Sequence, residues 1–160
     1  MLNITIICMG KLKEQYLKDA STEYLKRLSA FCSFNIIEIQ NQNTPENPSA
    51  AQIEQALALE GKKILEKIPS GSKTLAMCIE GNHMSSEDLS ELITDTAVNE
   101  TSSINFIIGS SFGLSDEVKN RANVKLSMSK MTFPHQLARI MLLEQIYRAF
   151  QISSGGKYHK

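Results

Sequence analysis

Residues 124–151 read VKLSMSKMTFPHQLARIMLLEQIYRAFQ, and this stretch decides how the rest of the chain is interpreted. It predicts a short strand over residues 124–126, an extended loop, and a long helix over residues 134–151. Pro134 suits the first turn of that helix because its missing N–H would have no partner there, and it pushes the residues before it toward extended backbone. Loops at the carboxyl ends of parallel strands are where α/β folds bind ligands, so we predict a binding loop here.

A second candidate binding loop, the glycine loop IIGSSFG at residues 107–113, follows an apolar strand predicted over residues 104–108. Gly109 allows a close approach of the backbone because glycine has no Cβ. The loop is not a dinucleotide-binding fingerprint, since the middle glycine of that motif is missing. We expect Ser110 to have a negative φ, because a positive φ would strain a serine.

Apolar strands alternate with amphipathic helices along the whole chain. Strands are predicted over residues 2–9, 34–39, 74–79, 104–108 and 124–126. Helices are predicted over residues 13–31, 49–68, 85–98, 116–122 and 134–151. Ser49 with Gln52 fits a capping box, and Ser85 fits an N-cap. Gly61, inside the second helix, either weakens that helix or marks a close contact. This order predicts one α/β domain spanning residues 1–160, with a mostly parallel five- or six-stranded sheet flanked by helices.

The composition is that of an ordinary globular protein. The 160 residues are 42% hydrophobic and 21% charged, which is typical of a soluble chain with a core of its own. The apolar residues 2–9 are too few to span a membrane, and no cationic segment precedes them as in a signal peptide. The cysteines are odd in number and show no metal-ligand spacing: Cys8, Cys32 and Cys78. We therefore expect a cytoplasmic protein with reduced cysteines, no membrane partner and no metal.

Charge is unevenly distributed, although the formal net charge is +0. Residues 74–118 contain eight acidic residues and no Lys or Arg, whereas from Lys119 onward eight basic residues face one acid, Glu144. A basic C-terminal part beside a binding loop suits a polyanion such as RNA. The alternative is that acidic and basic residues pair with each other in the fold or in a dimer. For Glu144 we expect a salt bridge to Arg148 or Arg139.

The last predicted helix is apolar around most of its circumference. Its apolar side chains are Leu137, Ile140, Met141, Leu142, Leu143, Ile146, Tyr147 and Phe150, and the remaining arc is largely Ala138, Gln145 and Ala149. A helix of this kind must be buried on both sides. A chain this small cannot easily bury it twice, so we expect one side to pack on the sheet and the other on a second subunit of a homodimer.

These motifs together are similar to those of one family. Four segments resemble those of the bacterial pseudouridine N3-methyltransferases of large-subunit ribosomal RNA. They are GKLKEQY at residues 10–16, the glycine loop, LSMSKMTFPHQLARIMLLEQIYRAF at residues 126–150, and the terminal Tyr158, His159 and Lys160. That family belongs to the knotted (SPOUT) methyltransferases, and the resemblance covers the whole chain. It implies a C-terminal trefoil knot, a homodimer that pairs through the last helix, and S-adenosyl-L-methionine as methyl donor. It also implies methylation of N3 of pseudouridine 1915 in the 23S ribosomal RNA of the assembled ribosome.

The resemblance further implies which residues bind the methyl donor. They are Met77 on the third strand, Gly109 in the glycine loop, and the run Met128, Ser129, Lys130, Met131, Thr132 and Phe133. Apolar side chains there suit the adenine, and backbone groups suit its ring nitrogens and the ribose. Taken without the resemblance, the methionines favour ordinary core packing instead.

For substrate handling we predict His135, Arg139, Arg148, Tyr158, His159 and Lys160, and we assign catalysis to four of them: His135, Arg139, Tyr158 and His159. His135 and Arg139 are four residues apart on one helix face, which suits gripping a phosphate or stabilising charge at the target base. An alternative for His135 is a hydrogen bond to a loop carbonyl. The tail taken alone is typical of a frayed terminus, but in the family it closes over the active site. We expect Tyr158 to stack on a flipped base and His159 to accept a proton, in their own subunit or at the partner's cofactor.

Three alternatives stay open at this point. The same fold suits a ribose 2′-O-methyltransferase that acts on another RNA. A non-catalytic ribosome-binding or assembly factor that kept the cofactor fold is a different class, and cofactor binding without turnover on any RNA would indicate it. A flavodoxin-like redox domain is disfavoured, because the loop after the first strand offers a single glycine, Gly10, where a phosphate-binding loop is needed.

Overall fold

The computed structural model describes residues 1–160, and its five strands and five helices alternate along the chain. The strands are β1 (Asn3–Met9), β2 (Ser33–Ile39), β3 (Lys73–His83), β4 (Ser103–Ile108) and β5 (Val124–Ser127). The helices are α1 (Gln15–Leu28), α2 (Ala50–Lys67), α3 (Ser86–Asn99), α4 (Asp116–Arg121) and α5 (His135–Ser153). The alternation predicted from apolar periodicity is confirmed.

All five strands form one parallel sheet in the order β2-β1-β4-β3-β5. The predicted α/β fold with a parallel sheet flanked by helices is therefore confirmed. Ile6 of β1 pairs with Phe106 of β4 near the centre of the sheet, and both side chains are fully buried. Parallel strands covered on both faces need apolar side chains on both, which explains the nearly continuous apolar runs of β1 and β4. The trefoil knot implied by the resemblance stays a prediction.

Helices cover both faces of the sheet. Because side chains alternate along a strand, Ile4 and Ile6 of β1 point to one face and Ile7 points to the other. The first face packs against α1, α3 and α5 and holds the larger core cluster, whereas α2 and α4 cover the second face. None of these helices has both the length and the apolarity that a membrane crossing requires.

Both helix starts predicted from capping residues are confirmed. The hydroxyl of Ser49 accepts the N–H of Gln52 at 3.2 Å, and the side chain of Gln52 accepts the N–H of Ser49 at 2.8 Å. Ser85 and Asp88 form the same reciprocal pair at the start of α3. Each pair provides acceptors for two N–H groups that a helix start leaves without partners.

β3 extends beyond its predicted end at residue 79. Met77 and Asn82 both pair with Leu126 of β5, so the residues between them form a bulge that leaves the regular ladder. A Cβ on Gly81 would lie 2.7 Å from the backbone of β5, so glycine is needed for this close approach. The polar residues after position 79 concealed the extension, because strand prediction relies on apolar alternation.

α5 starts one residue later than predicted. Pro134 has a ψ of 135° and is the N-cap rather than a residue of the first turn. One side of the helix, which includes Leu143 and Ile146, is fully buried against the neighbouring helices and the sheet. Leu137 on another side remains 40% exposed. One chain therefore does not cover the helix on both sides, and the homodimer stays a prediction.

Candidate functional site

A cleft of about 460 Å³ opens at the carboxyl ends of β3, β4 and β5. It is lined by the end and bulge of β3, by the glycine loop, and by the β5–α5 loop, which comprises residues 128–134. His135 and Ala138 from the first turn of α5 complete the lining. The volume lies within the range of roughly 300–1,000 Å³ that small-molecule sites occupy.

The structure brings together nearly all residues predicted to bind the methyl donor. Those that line the cleft are Met77, Gly109, Met128, Ser129, Met131, Thr132 and Phe133. Lys130 is the exception, because it is exposed and lies outside the lining. Met77 and Met128 also pack against the core, as the core-packing interpretation predicts, whereas Met131 is 75% exposed.

The glycine loop folds back on itself. The N–H of Gly113 donates to the carbonyl of Ser110 at 2.9 Å, and Gly113 has a φ of 91°, which favours glycine. A Cβ on Gly109 would overlap the carbonyl of Gly113, so the close approach predicted at Gly109 is made by the loop itself. No residue other than glycine has a positive φ, which confirms the negative φ expected for Ser110.

A buried carboxylate that sequence reasoning missed holds the glycine loop in place. Glu60 of α2 is 3% exposed, and it accepts hydrogen bonds from the hydroxyl of Ser110 at 2.9 Å and the N–H of Gln42 at 3.0 Å. The adjacent Gly61 marks a close contact, because a Cβ there would overlap the hydroxyl of the serine that caps α4. The position of Glu60 in the sequence was the signal that could have revealed it. Glu60 lies four residues before Ile64 on the apolar side of α2, where a charged residue needs a partner.

The β5–α5 loop is held by side chains alone. None of residues 128–133 takes part in a backbone–backbone hydrogen bond. The hydroxyl of Ser127 donates to the carbonyl of Ser129 at 3.1 Å, and the N–H of Met131 donates to the hydroxyl of Ser129 at 3.0 Å. These bonds shape a local turn. The other backbone donors and acceptors of the loop are left available to a ligand.

Two oppositely charged side chains meet at the cleft, Glu80 from the β3 bulge and Lys119 from α4. Lys119 Nζ lies 2.5 Å from Glu80 Oε1. Their hydrogen bond lowers the pKa of the Glu80 carboxyl and raises the pKa of the Lys119 ammonium, so both are charged at neutral pH. Neither was predicted as a site residue. Glu80 lies beyond the predicted end of the third strand, and Lys119 was considered only as part of the basic C-terminal charge.

His135 lies at the cleft with a neutral ring. Burial lowers the pKa of its imidazole, and the positive charges of Arg139 and Lys13 lower it further, so the ring is unprotonated at neutral pH. The ring makes no hydrogen bond to the chain, so the alternative in which it bonds a loop carbonyl is wrong. A neutral imidazole beside a binding cleft is able to accept a proton.

Arg139 does not face the cleft. The residue is 2% exposed, and its guanidinium donates to Glu38 Oε2 at 2.8 Å and to the carbonyl of Gly10 at 3.1 Å. It therefore connects α5 to the ends of β1 and β2. His135 and Arg139 were expected to act on a substrate from one helix face, but the structure brings only His135 to the cleft.

The C-terminal tail is docked on the protein rather than frayed. The hydroxyl of Tyr158 donates to Glu144 Oε2 at 2.9 Å, and Glu144 forms its predicted salt bridge with Arg148 at 2.7 Å. Arg148 Nη1 lies 3.1 Å from His159 Nδ1, which must accept because arginine only donates. The Nε2 of His159 then donates to Glu87, 2.5 Å away. The structure thus places Tyr158 and His159 on α3 and α5, not at the cleft of their own chain.

Part of the basic C-terminal charge is used in ion pairs. Lys119, Arg139 and Arg148 each pair with a carboxylate. The basic residues of this region that form no ion pair are Arg121, Lys125, Lys130, Lys157 and Lys160. The pairing interpretation therefore holds for some of these residues, and the others remain available to a polyanion.

A parallel sheet with a loop-lined, largely apolar cleft at the carboxyl ends of its strands is typical of α/β proteins that bind a small-molecule ligand. Comparison with known proteins identifies the family to which the chain belongs. The family model described as "Predicted SPOUT methyltransferase" matches residues 2–159. The chain belongs to the SPOUT methyltransferase family.

Curated relatives match the chain over almost its whole length. Proteins named "Ribosomal RNA large subunit methyltransferase H" from Clostridium acetobutylicum, Clostridioides difficile and Streptococcus sanguinis are 55%, 51% and 49% identical to it over 159 residues. Each match covers 99% of this chain and 100% of the relative. The resemblance drawn from the loop and helix motifs is therefore confirmed.

Proposed function

We propose that the protein is an S-adenosyl-L-methionine-dependent methyltransferase that modifies N3 of pseudouridine 1915 in the 23S ribosomal RNA of the assembled ribosome. The observation that carries this proposal is the cleft, which is lined by all the predicted donor-binding residues of β3, the glycine loop and the β5–α5 loop except Lys130. The relatives named as ribosomal RNA large subunit methyltransferases support the substrate class. In this proposal residues 1–160 act as one domain, in the cytoplasm, without a metal or a membrane.

The residues of the cleft fit the proposed methyl donor. Met131 and Phe133 are 75% and 36% exposed, so they offer apolar surface that an adenine ring would cover. The β5–α5 loop offers backbone N–H and carbonyl groups without backbone partners, which suit the ring nitrogens and the ribose. These two features supply the apolar and the polar parts of nucleoside recognition from one loop.

When bound, S-adenosyl-L-methionine supplies a methyl carbon made electrophilic by a positively charged sulfur. The chain must hold the target nitrogen in line with that carbon and remove its proton, because N3 of pseudouridine is a weakly acidic imide. We assign proton acceptance to a ring nitrogen of His135, the neutral base at the cleft, rather than to His159, the acceptor expected from the sequence, which docks away from the cleft of its own chain. Arg139 takes a positioning role, since its bonds to Glu38 and Gly10 hold the helix turn that carries His135.

We assign the tail to the cleft of a second subunit. Tyr158 and His159 dock on α3 and α5 of their own chain, away from its cleft, so they complete an active site only by changing position or by acting across a homodimer. The incompletely covered α5 supports pairing of two chains through this helix. Deleting residues 158–160 is expected to abolish methyl transfer and to leave affinity for S-adenosyl-L-homocysteine unchanged. Full methyl transfer by the truncated protein would exclude the tail from the site.

Recognition of the ribosome fits the size and charge of the chain. We expect an α/β domain of this size to gain specificity from its dimer surface and from the shape of its substrate. The basic residues without ion-pair partners provide phosphate contacts that weaken as the salt concentration rises. We therefore expect intact ribosomes, rather than free ribosomal RNA, to be the substrate.

The direct test uses labelled S-adenosyl-L-methionine with purified protein and ribosomes that lack the modification. Label is expected in large-subunit RNA from intact ribosomes and not in naked ribosomal RNA incubated alongside, and mapping places it on the base. Label on a ribose would instead establish the 2′-O-methyltransferase alternative. No label on either substrate, with donor binding measured independently, would contradict the proposal and favour another RNA target or a binding factor.

A further inference from the structure

We propose that Glu80 and Lys119 recognise the amino-acid end of the methyl donor, the carboxylate of Glu80 binding its ammonium and the ammonium of Lys119 binding its carboxylate. This inference rests on the proposed function and extends it to the amino-acid end of the ligand, for which the sequence motifs predicted no residue. It assigns a specificity role to two residues outside the motifs that indicated the cleft.

The distribution of charge in the cleft is the first argument. Among all the side chains that line it, only Glu80 and Lys119 carry a full charge at neutral pH, since His135 is neutral. They come from different elements, the β3 bulge and α4, and meet within 2.5 Å. The remaining lining is apolar, hydroxylic or backbone. The cleft therefore has one place at which it can bind a group that is both cationic and anionic.

The chemistry of the ligand matches this place. S-adenosyl-L-methionine has an adenosine end, which the β5–α5 loop suits, and an amino-acid end with one ammonium and one carboxylate. A carboxylate has several lone pairs and an ammonium has three N–H groups, so Glu80 and Lys119 can each bind the ligand without leaving each other. Charge-assisted hydrogen bonds of this kind are stronger than neutral ones.

The geometry of the bulge is the second argument. Met77 and Asn82 pair with the same residue of β5, so Glu80 lies in the segment that leaves the ladder. The side chain of Glu80 is 55% exposed and that of Lys119 is 21% exposed, and ion pairs this open contribute little to folding stability. A bulge that turns an accessible carboxylate into a ligand cleft is typical of a binding role.

Two neutral-sulfur ligands isolate the contribution of the amino-acid end. S-adenosyl-L-homocysteine carries that end, and 5′-methylthioadenosine has the adenosine and the thioether but lacks it. We would measure both affinities by isothermal titration for the wild type, Glu80→Gln, Lys119→Met and Lys62→Met. Lys62 is the matched control, because it is an exposed lysine of α2 that forms no ion pair and does not line the cleft.

The expected result is selective. Glu80→Gln and Lys119→Met should weaken S-adenosyl-L-homocysteine binding by about tenfold or more, the size expected for a charge-assisted hydrogen bond. The same variants should bind 5′-methylthioadenosine within about twofold of the wild type. Lys62→Met should change neither affinity. Thermal unfolding of each variant establishes that it is folded.

A charge-swapped variant separates recognition from a structural role. Glu80→Lys combined with Lys119→Glu keeps an ion pair between β3 and α4 but exchanges the two charges. A merely structural pair predicts wild-type affinity for S-adenosyl-L-homocysteine, whereas recognition predicts a loss confined to that ligand. Equal weakening of both ligands, or no weakening in any variant, would overturn the inference. Failure of the wild type to bind either ligand would instead overturn the proposed function, and this inference with it.

Discussion

The two loops that line the cleft are held in different ways. The glycine loop is closed by a backbone bond between Gly113 and Ser110 and is fixed to α2 through Glu60. Residues 128–133 of the β5–α5 loop have no backbone–backbone bond, and Ser129 provides most of the internal contacts. One loop is therefore fixed before a ligand arrives, whereas the other keeps its polar backbone groups free.

Because the two loops are held differently, substitutions in them should affect folding stability and ligand affinity to different extents. A preorganised loop loses little conformational entropy when a ligand binds, but changes in it disturb the fold as well as the cleft. A loop with free backbone groups offers more hydrogen bonds and loses more entropy on binding. Substitutions in the glycine loop should thus lower both the free energy of unfolding and ligand affinity, and substitutions in the β5–α5 loop should lower affinity alone.

The strongest test of this separation is Gly109→Ala. The new Cβ would overlap the carbonyl of Gly113, a backbone atom that cannot move without opening the turn. We expect the free energy of unfolding to fall by about 3 kcal/mol, the upper range for overpacking, measured by urea unfolding. Affinity for S-adenosyl-L-homocysteine should fall by about tenfold or more.

Gly71→Ala is the control. Gly71 has a φ of 75° with no neighbour within 4 Å, so this variant should lose about 1 kcal/mol and no affinity. Equal affinities of the two variants would contradict the prediction.

A smaller effect on both quantities is expected for Glu60→Ala. This substitution removes the acceptor for Ser110 and for the N–H of Gln42, so the free energy of unfolding should fall by about 2 kcal/mol. Affinity for S-adenosyl-L-homocysteine should fall about fivefold as the glycine loop loosens. Glu60→Gln keeps an amide that can bond both groups and should retain most of the stability and affinity. If Glu60→Gln lost as much stability and affinity as Glu60→Ala, these hydrogen bonds would not be what holds the glycine loop.

The opposite pattern is expected for Ser129→Ala in the β5–α5 loop. The substitution removes the hydroxyl that accepts the N–H of Met131, in an exposed segment outside the core. The free energy of unfolding should change by less than about 0.5 kcal/mol. Affinity for S-adenosyl-L-homocysteine should fall about threefold, because the free loop becomes less ordered. Ser153→Ala, at the far end of α5, provides a control that should change neither quantity. A loss of stability without a loss of affinity would reverse the comparison between the loops.

Local signals in the sequence predicted much of the fold. Ser49 and Ser85 marked helix starts because capping bonds join residues three positions apart, and they form as expected. The glycine loop and the β5–α5 loop were identified because apolar strands precede them and because Pro134 ends the second. Each of these signals depends on neighbours in the chain, so the sequence contains it directly.

The missed features depend on contacts between distant segments. Glu80 reaches the cleft only because β3 pairs with β5 on both sides of a bulge. Glu60 and Ser110 are 50 positions apart, and no local pattern links them. Arg139 was assigned to the cleft by its spacing from His135, but its partner Glu38 on β2 draws it elsewhere. Helix periodicity indicates a face, whereas a partner 101 positions away decides what that face contacts.

The smallest effect is expected at His135, where the β5–α5 loop meets α5. Burial and the charges of Arg139 and Lys13 lower the pKa of His135 in the folded chain below its ordinary value of about 6.5. The unfolded chain therefore binds more protons below that value, and the free energy of unfolding falls as the pH drops through this window. The contribution is fully present above about pH 6.5 and is lost as the ring becomes protonated in the folded chain.

Urea unfolding of the wild type and of His135→Gln at pH 7.5 and 5.5 checks this. The wild type should lose more stability on acidification than the variant, and comparing the two removes the contribution of the other histidines. Parallel losses would mean that the pKa of His135 is unshifted, and a smaller loss in the wild type would mean that it is raised.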